Sequence, residues 1–147
     1  MGRILALDVG DARTGLALSD VAGMQASPLT VLDTKALRHD NAQLLNLVTD
    51  YEVDYVVVGL PLQADGSEGP QARRVRSLTM QLLRGLDALT LSPKVVFFDE
   101  RHSSAQAKEQ GHALGLSERD MRGTLDAHAA AQFLQAYLDN SEEESSP

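Results

Sequence analysis

Four carboxylates in this 147-residue chain sit where chemistry is often built. Asp8 closes the apolar run Ile4-Leu5-Ala6-Leu7, and Asp99 and Glu100 close Val95-Val96-Phe97-Phe98. Asp126 opens a helical stretch beside the small residues Ala127, Ala129, Ala130 and Ala131. Apolar strands that end in carboxylates aim them at one sheet edge, and open α/β sheets build sites outside the carboxyl ends of their strands. Two carboxylates about 4 Å apart repel by roughly 4 kcal/mol at an effective dielectric of 20. They stay together when a cation lies between them or when one carboxyl is protonated. A set made only of oxygens suits one or two Mg²⁺ or Mn²⁺ ions. Such ions activate water and steady the leaving oxygen in phosphodiester cleavage. Asp8, Glu100 and Asp126 are therefore the candidate catalytic and metal-binding residues. Taken singly, each is also an ordinary residue at a strand end or helix start.

The elements that must hold these residues follow from hydrophobic periodicity. Strands are expected at Arg3 to Asp8, Thr14 to Ser19 and Pro28 to Leu32, the first two joined by the turn DVGDARTG. A helix is expected from Thr34 to Tyr51, with Leu37, Leu44, Leu45, Val48 and Tyr51 as its apolar stripe. Asp54 to Leu60 and Lys94 to Asp99 carry continuous apolar runs, the mark of strands covered on both faces. Further helices are expected over Pro70 to Leu86, from Ser103 or Ser104 to Leu114, and over Thr124 to Leu138. Gly115 and Gly123 bracket an expected loop between the last two. The order reads as one α/β domain, residues 1–138, in which an antiparallel meander opens a sheet that helix crossovers then cover.

Charge and composition bound the function. The formal net charge is −8, from 13 Lys and Arg against 21 Asp and Glu. An acidic protein is a poor first guess for a polyanion partner. The charge is unevenly spread, however. Residues 139–147 (DNSEEESSP) carry four acids and no base, and read as a disordered acidic tail. Pro70 to Gly85 carries Arg73, Arg74, Arg76 and Arg84 and no acid. The chain has no cysteine, which excludes disulfides, thiolate metal sites and a cysteine nucleophile. No run of 18 apolar residues exists, and the N-terminus lacks a signal-peptide pattern, so a soluble cytoplasmic protein with no membrane partner is expected.

Several cations stand near the carboxylates. Arg13, between Gly10 and Gly15, could hold a phosphate, though the same glycines would serve a plain hairpin. Arg101 follows Glu100 and could meet a scissile phosphate or pair with an acid. Arg73 and Arg76 could track a nucleic-acid backbone or form a solvated helix face. With three Phe, three Tyr and no Trp, base-stacking platforms are scarce.

In four stretches the chain resembles the YqgF family, also called RuvX, of the ribonuclease H-like superfamily. They are LALDVGDARTGLALSD, DYVVVGLPLQADGSEGPQARRVR, VVFFDERHSS and LDAHAA, in that order. The family is described as Holliday junction resolvase-like proteins and as nucleases of the 16S ribosomal RNA precursor. The resemblance implies a ribonuclease H-like fold: a five-stranded mixed sheet, its first three strands antiparallel, flanked by helices. It also implies a nuclease dependent on a divalent metal. The family's leading aspartate falls on Asp8, its strand-five glutamate on Glu100 and its helix aspartate on Asp126. Where the family often carries basic residues before that last aspartate, this chain has Arg122 and Thr124.

The substrate classes this leaves open are precursor ribosomal RNA, branched DNA such as a four-way junction, and single-stranded DNA. The chain would act as a monomer or homodimer. Two rival classes are a non-cleaving RNA-binding factor of ribosome maturation and a small phosphotransferase. The three intact carboxylates favour the enzyme over the first. The lack of a Walker-type phosphate loop disfavours the second.

Overall fold

The computed structural model describes residues 2–99 and 118–145, with 118–126 and 141–145 as backbone only. The expected opening meander is present: β1 (Arg3–Val9), β2 (Arg13–Ser19) and β3 (Ala26–Asp33). Two short helices follow, α1 (Thr34–His39) and α2 (Ala42–Asp50), and then β4 (Val53–Leu60). Next come α3 (Pro70–Leu82), a single 3₁₀ turn at Leu86–Ala88, β5 (Lys94–Asp99) and a long final helix, α4 (Glu118–Ser145).

The strands form one sheet in the order β3-β2-β1-β4-β5. β1 pairs antiparallel with β2, and β2 with β3. β4 pairs parallel with β1 and with β5. This is the mixed five-stranded sheet expected from the sequence. The carboxyl ends of β1, β4 and β5 consequently share one edge with the start of β2 and the end of β3.

Alternation along the strands divides the core in two. Leu5, Leu7 and Val9 of β1 pack with Val56, Val58 and Leu60 of β4 under α1, α2 and α3. The opposite set, Ala6, Ala17 and Val57, packs under Ala130, Phe133, Leu134 and Leu138 of α4. The three sheet residues there are small, so the long helix can lie close to the sheet. Phe133 is wholly buried between them, and its replacement by Ala would cost about 3–5 kcal/mol. Gln135 fixes the same helix to the β2–β3 hairpin. It accepts from the Ala26 N–H at 2.9 Å and donates to the Met24 carbonyl at 3.0 Å.

The structure corrects three boundaries. The single helix expected over Thr34 to Tyr51 is broken. Asp40 is extended (φ −150°, ψ 111°), and its carboxylate accepts from the Ala42 N–H at 3.0 Å. Asn41 is buried and donates to the carbonyls of Leu82 and Arg84, at 2.9 Å each, tying the break to the end of α3. A polar side chain with a tertiary task thus overrides helical periodicity.

The helix expected to run to Leu86 stops at Leu82, because Gly85 takes a left-handed conformation (φ 88°) and the chain tightens into the 3₁₀ turn. The final helix begins at Glu118, well before Thr124, and runs through Gly123. A glycine inside a helix costs only about 1 kcal/mol against alanine, which the rest of a long helix can absorb. The segment expected as a tail continues this helix to Ser145. The helix expected from Ser103 or Ser104 to Leu114 lies outside the described residues.

Candidate active site at the carboxyl edge of the sheet

Asp8 stands at the carboxyl end of the central strand. It is half-buried and lies directly opposite Gly15 of β2. Opposed residues in a ladder share a face, so Asp8 belongs with Ala6 and Ala17 on the side covered by α4. On the other neighbour, Leu7 pairs with Val58, and the next register position beside Asp8 is Gly59. Gly59 in turn pairs with Phe98 of β5. The row through Asp8 therefore has no side chain on either adjoining strand. Gly15 is legible in the sequence as a turn signal, whereas Gly59 stands inside the apolar run VVVGLPL and gives no such signal.

The same alternation separates Asp99 from Asp8. Asp99 pairs with Leu60, whose side chain lies in the core under α1 to α3, whereas Phe98 lies on the α4 side. Asp99 thus belongs to the opposite face. Glu100 and Arg101 are outside the described residues. Asp126 and Arg122 are placed on the backbone of α4 only. Among the described residues, no group of three histidine, aspartate or glutamate side chains could hold a metal ion.

The β1–β2 turn shapes the edge next to Asp8. The Gly10 N–H donates to the Arg13 carbonyl at 2.9 Å, and a Cβ on Gly10 would meet that oxygen at 2.7 Å. Only glycine fits this turn without displacing Arg13. Arg13 is exposed and two residues from Gly15, hence on the Asp8 face of β2. The turn is held from below by α1. The Thr34 N–H donates to the Ala12 carbonyl at 3.0 Å, and the buried hydroxyls of Thr14 and Thr34 meet at 2.8 Å.

The arginines of α3 do not form one free face. Arg76 makes a two-pronged pair with Glu68 at 2.6 and 3.0 Å and stacks over the Phe97 ring, 4.3 Å from its centroid. That hydrogen bond holds the Glu68 carboxyl below its ordinary value and raises Arg76. Arg73 donates to the Glu68 carbonyl at 3.4 Å, and Arg74 pairs with Asp11 of the β1–β2 turn at 2.5 Å. Arg84 lies beyond the helix end.

The connection between β4 and α3 is likewise ordered from within. Ser67 donates from its N–H and its hydroxyl to the Asp65 carboxylate, at 2.9 and 2.6 Å, and Gly66 takes φ 88°.

A mixed five-stranded sheet in this order, with a long helix over one face, is the ribonuclease H-like fold. Two solved structures share the fold: RuvC of T. thermophilus in complex with a Holliday junction substrate, and the fowlpox virus resolvase in complex with Holliday junction DNA. The first has a TM-score of 0.57 at 18% identity, covering 97% of this chain and 96% of that one. The second has 0.55 at 14%, covering 95% and 98%.

The family model described as "RuvX: Holliday junction resolvase" matches residues 2–140, and the chain belongs to that family. A relative from Anaeromyxobacter dehalogenans (strain 2CP-C), named "Putative pre-16S rRNA nuclease", is 42% identical over 137 residues. That match covers 93% of this chain and 96% of the relative. A relative of the same name from Syntrophus aciditrophicus (strain SB) is 38% identical over 145 residues, covering 99% and 93%. Among the described residues, no helix is long and apolar enough to cross a membrane.

Proposed function

We propose that this protein is a divalent-metal-dependent nuclease of structured nucleic acid, with precursor 16S ribosomal RNA as its leading substrate. Branched and single-stranded DNA are the competing substrates. The observation that carries the reading is the position of Asp8: half-buried, at the carboxyl end of the central strand, on the face covered by α4 and between two glycines. The relatives named as pre-16S rRNA nucleases favour the ribosomal substrate, and the family's description as a Holliday junction resolvase keeps junction DNA in play.

Asp8, Glu100 and Asp126 are the proposed metal ligands. The donor set fits, being composed of carboxylate oxygens alone. Asp126 precedes the buried Ala130 by one helical turn. Gln135 anchors the carboxyl-terminal half of α4 at the far end of the sheet, and the half bearing Asp126 leads back toward Asp8.

Bound there, one or two Mg²⁺ or Mn²⁺ ions would supply water activation and neutralise charge at the scissile phosphate. The chain's own residues supply the rest. Asp8 fixes one oxygen donor on a rigid strand. Gly15 and Gly59 leave its row free of neighbouring side chains. Arg13, with Arg101 and Arg122 as further proposed contacts, orients the substrate phosphate. The ion pair with Glu68 makes Arg76 the weaker of the α3 candidates, and Arg73 the stronger.

The assignment of substrate is tested by direct competition. Precursor ribosomal RNA and four-way junction DNA are offered together in Mn²⁺ buffer, and the cleavage positions are mapped. Preferential cleavage of the RNA at the 5′ boundary of the 16S segment is expected. Exclusive cutting of the junction would overturn the ribosomal assignment.

A further inference from the structure

A surplus of positive charge leads away from the candidate site on the other side of the sheet edge. β3 ends at Asp33, opposite Arg13, and the chain turns at once into α1. There Lys35 and Arg38 face Gln81 of α3 across a shallow basin of about 710 Å³ that also takes in Asp33 and His39. Arg38 donates to the Gln81 side-chain oxygen at 2.8 Å, and Arg84 donates to the His39 carbonyl at 3.3 Å. Lys35, Arg38 and Arg84 are exposed. Among the described residues each is held by a neutral acceptor or by none, so its charge is not cancelled locally.

Two carboxylates border the strip, Asp33 and Asp40, and both accept from backbone N–H groups of α1 and α2. Against them stand Lys35, Arg38 and Arg84. Lys35 and Arg38 lie on α1, whose six residues cover about 9 Å, and Arg84 meets the end of that helix at His39. A strand of duplex nucleic acid presents one phosphate per roughly 3.4 Å of axis, so this length spans about two or three phosphates. No Phe, Tyr or Trp lines the basin, which fits contact with backbone rather than with bases.

We propose that Lys35, Arg38 and Arg84 form a phosphate-backbone track that holds a duplex arm of the nucleic acid while another part of it reaches Asp8. The choice of partner rests on the nuclease reading. The track itself is a separate claim about where the chain grips.

The test uses the full chain and two labelled 20-base-pair duplexes, one RNA and one DNA, titrated by fluorescence anisotropy between 50 and 200 mM salt. Each phosphate contact contributes about 0.9 to the slope of log affinity against log salt. The triple variant K35Q/R38Q/R84Q is expected to lose about 2.7 from that slope and to bind far more weakly at low salt. Lys35→Gln, which removes no hydrogen bond, is expected to lose about 0.9 and guards against misfolding of the triple variant. Loss on both duplexes assigns the track to phosphate in general; loss on one assigns it to that backbone. Wild-type affinity and slope for both variants on both duplexes would overturn the proposal. Failure of any metal to support cleavage would sink the nuclease reading while leaving the track standing on its own slopes.

Discussion

Asp8 and Gly15 face each other across the β1–β2 ladder, so the carboxylate proposed to begin the chemistry has a hydrogen where every other residue would place a side chain. Gly59 continues the same row on β4. Gly15→Ala should therefore leave the sheet in place while crowding the carboxylate. A shift of about 1 Å at a reacting group can cost about 10²-fold in rate. The expected outcome is a wild-type circular dichroism spectrum with at least tenfold slower cleavage. Unchanged cleavage would show that the row tolerates a methyl group.

Asn41 joins the break between α1 and α2 to the end of α3 through two carbonyls. Asn41→Ala leaves the buried Leu82 carbonyl and the part-buried Arg84 carbonyl without this donor and should cost about 1–3 kcal/mol. Urea denaturation would show this as a lower midpoint with an unchanged slope.

The Glu68–Arg76 pair should leave a mark on the pH dependence of stability. Arg76 holds the Glu68 carboxyl below its ordinary value of 4.5. A lowered carboxyl contributes stability that is complete above the ordinary value and is lost as pH falls through the lowered one. The melting temperature of wild type minus that of Glu68→Gln should thus be constant from about pH 7 to 5 and shrink toward zero in more acidic buffer. The pair is exposed, so the difference should be small and should weaken further in high salt.

Much of the fold is legible in the order of residues alone. Continuous apolar runs fix β4 and β5, and β5 lies at Lys94–Asp99, where its run places it. The opening meander follows from two runs around DVGDARTG. Tasks assigned at long range are not legible in this way. Asn41 looks like one more helical residue until the end of α3 supplies its acceptors. Arg76 looks like a free cation until Glu68, eight residues earlier, folds back onto it. Between Asp99 and Glu100 the sequence favours Glu100. The pairing of Asp99 with Leu60 puts Asp99 on the face away from Asp8, and Glu100 lies outside the described residues. The acidic total of −8 misleads as a single number, because six of the 13 Lys and Arg residues sit on α1, α3 and the start of β2.

The role of Asp8 is tested most directly by a metal-dependent cleavage assay comparing wild type with Asp8→Asn, and with Asp11→Asn as a control on the same turn. In Mn²⁺ buffer Asp8→Asn is expected to fold as wild type and to lose more than about 100-fold in rate, since even outer-shell changes at metal sites cost about 10–100-fold. Asp11→Asn should stay within a few-fold of wild type. Equal cleavage by wild type and Asp8→Asn would contradict the assignment of Asp8 to the metal site.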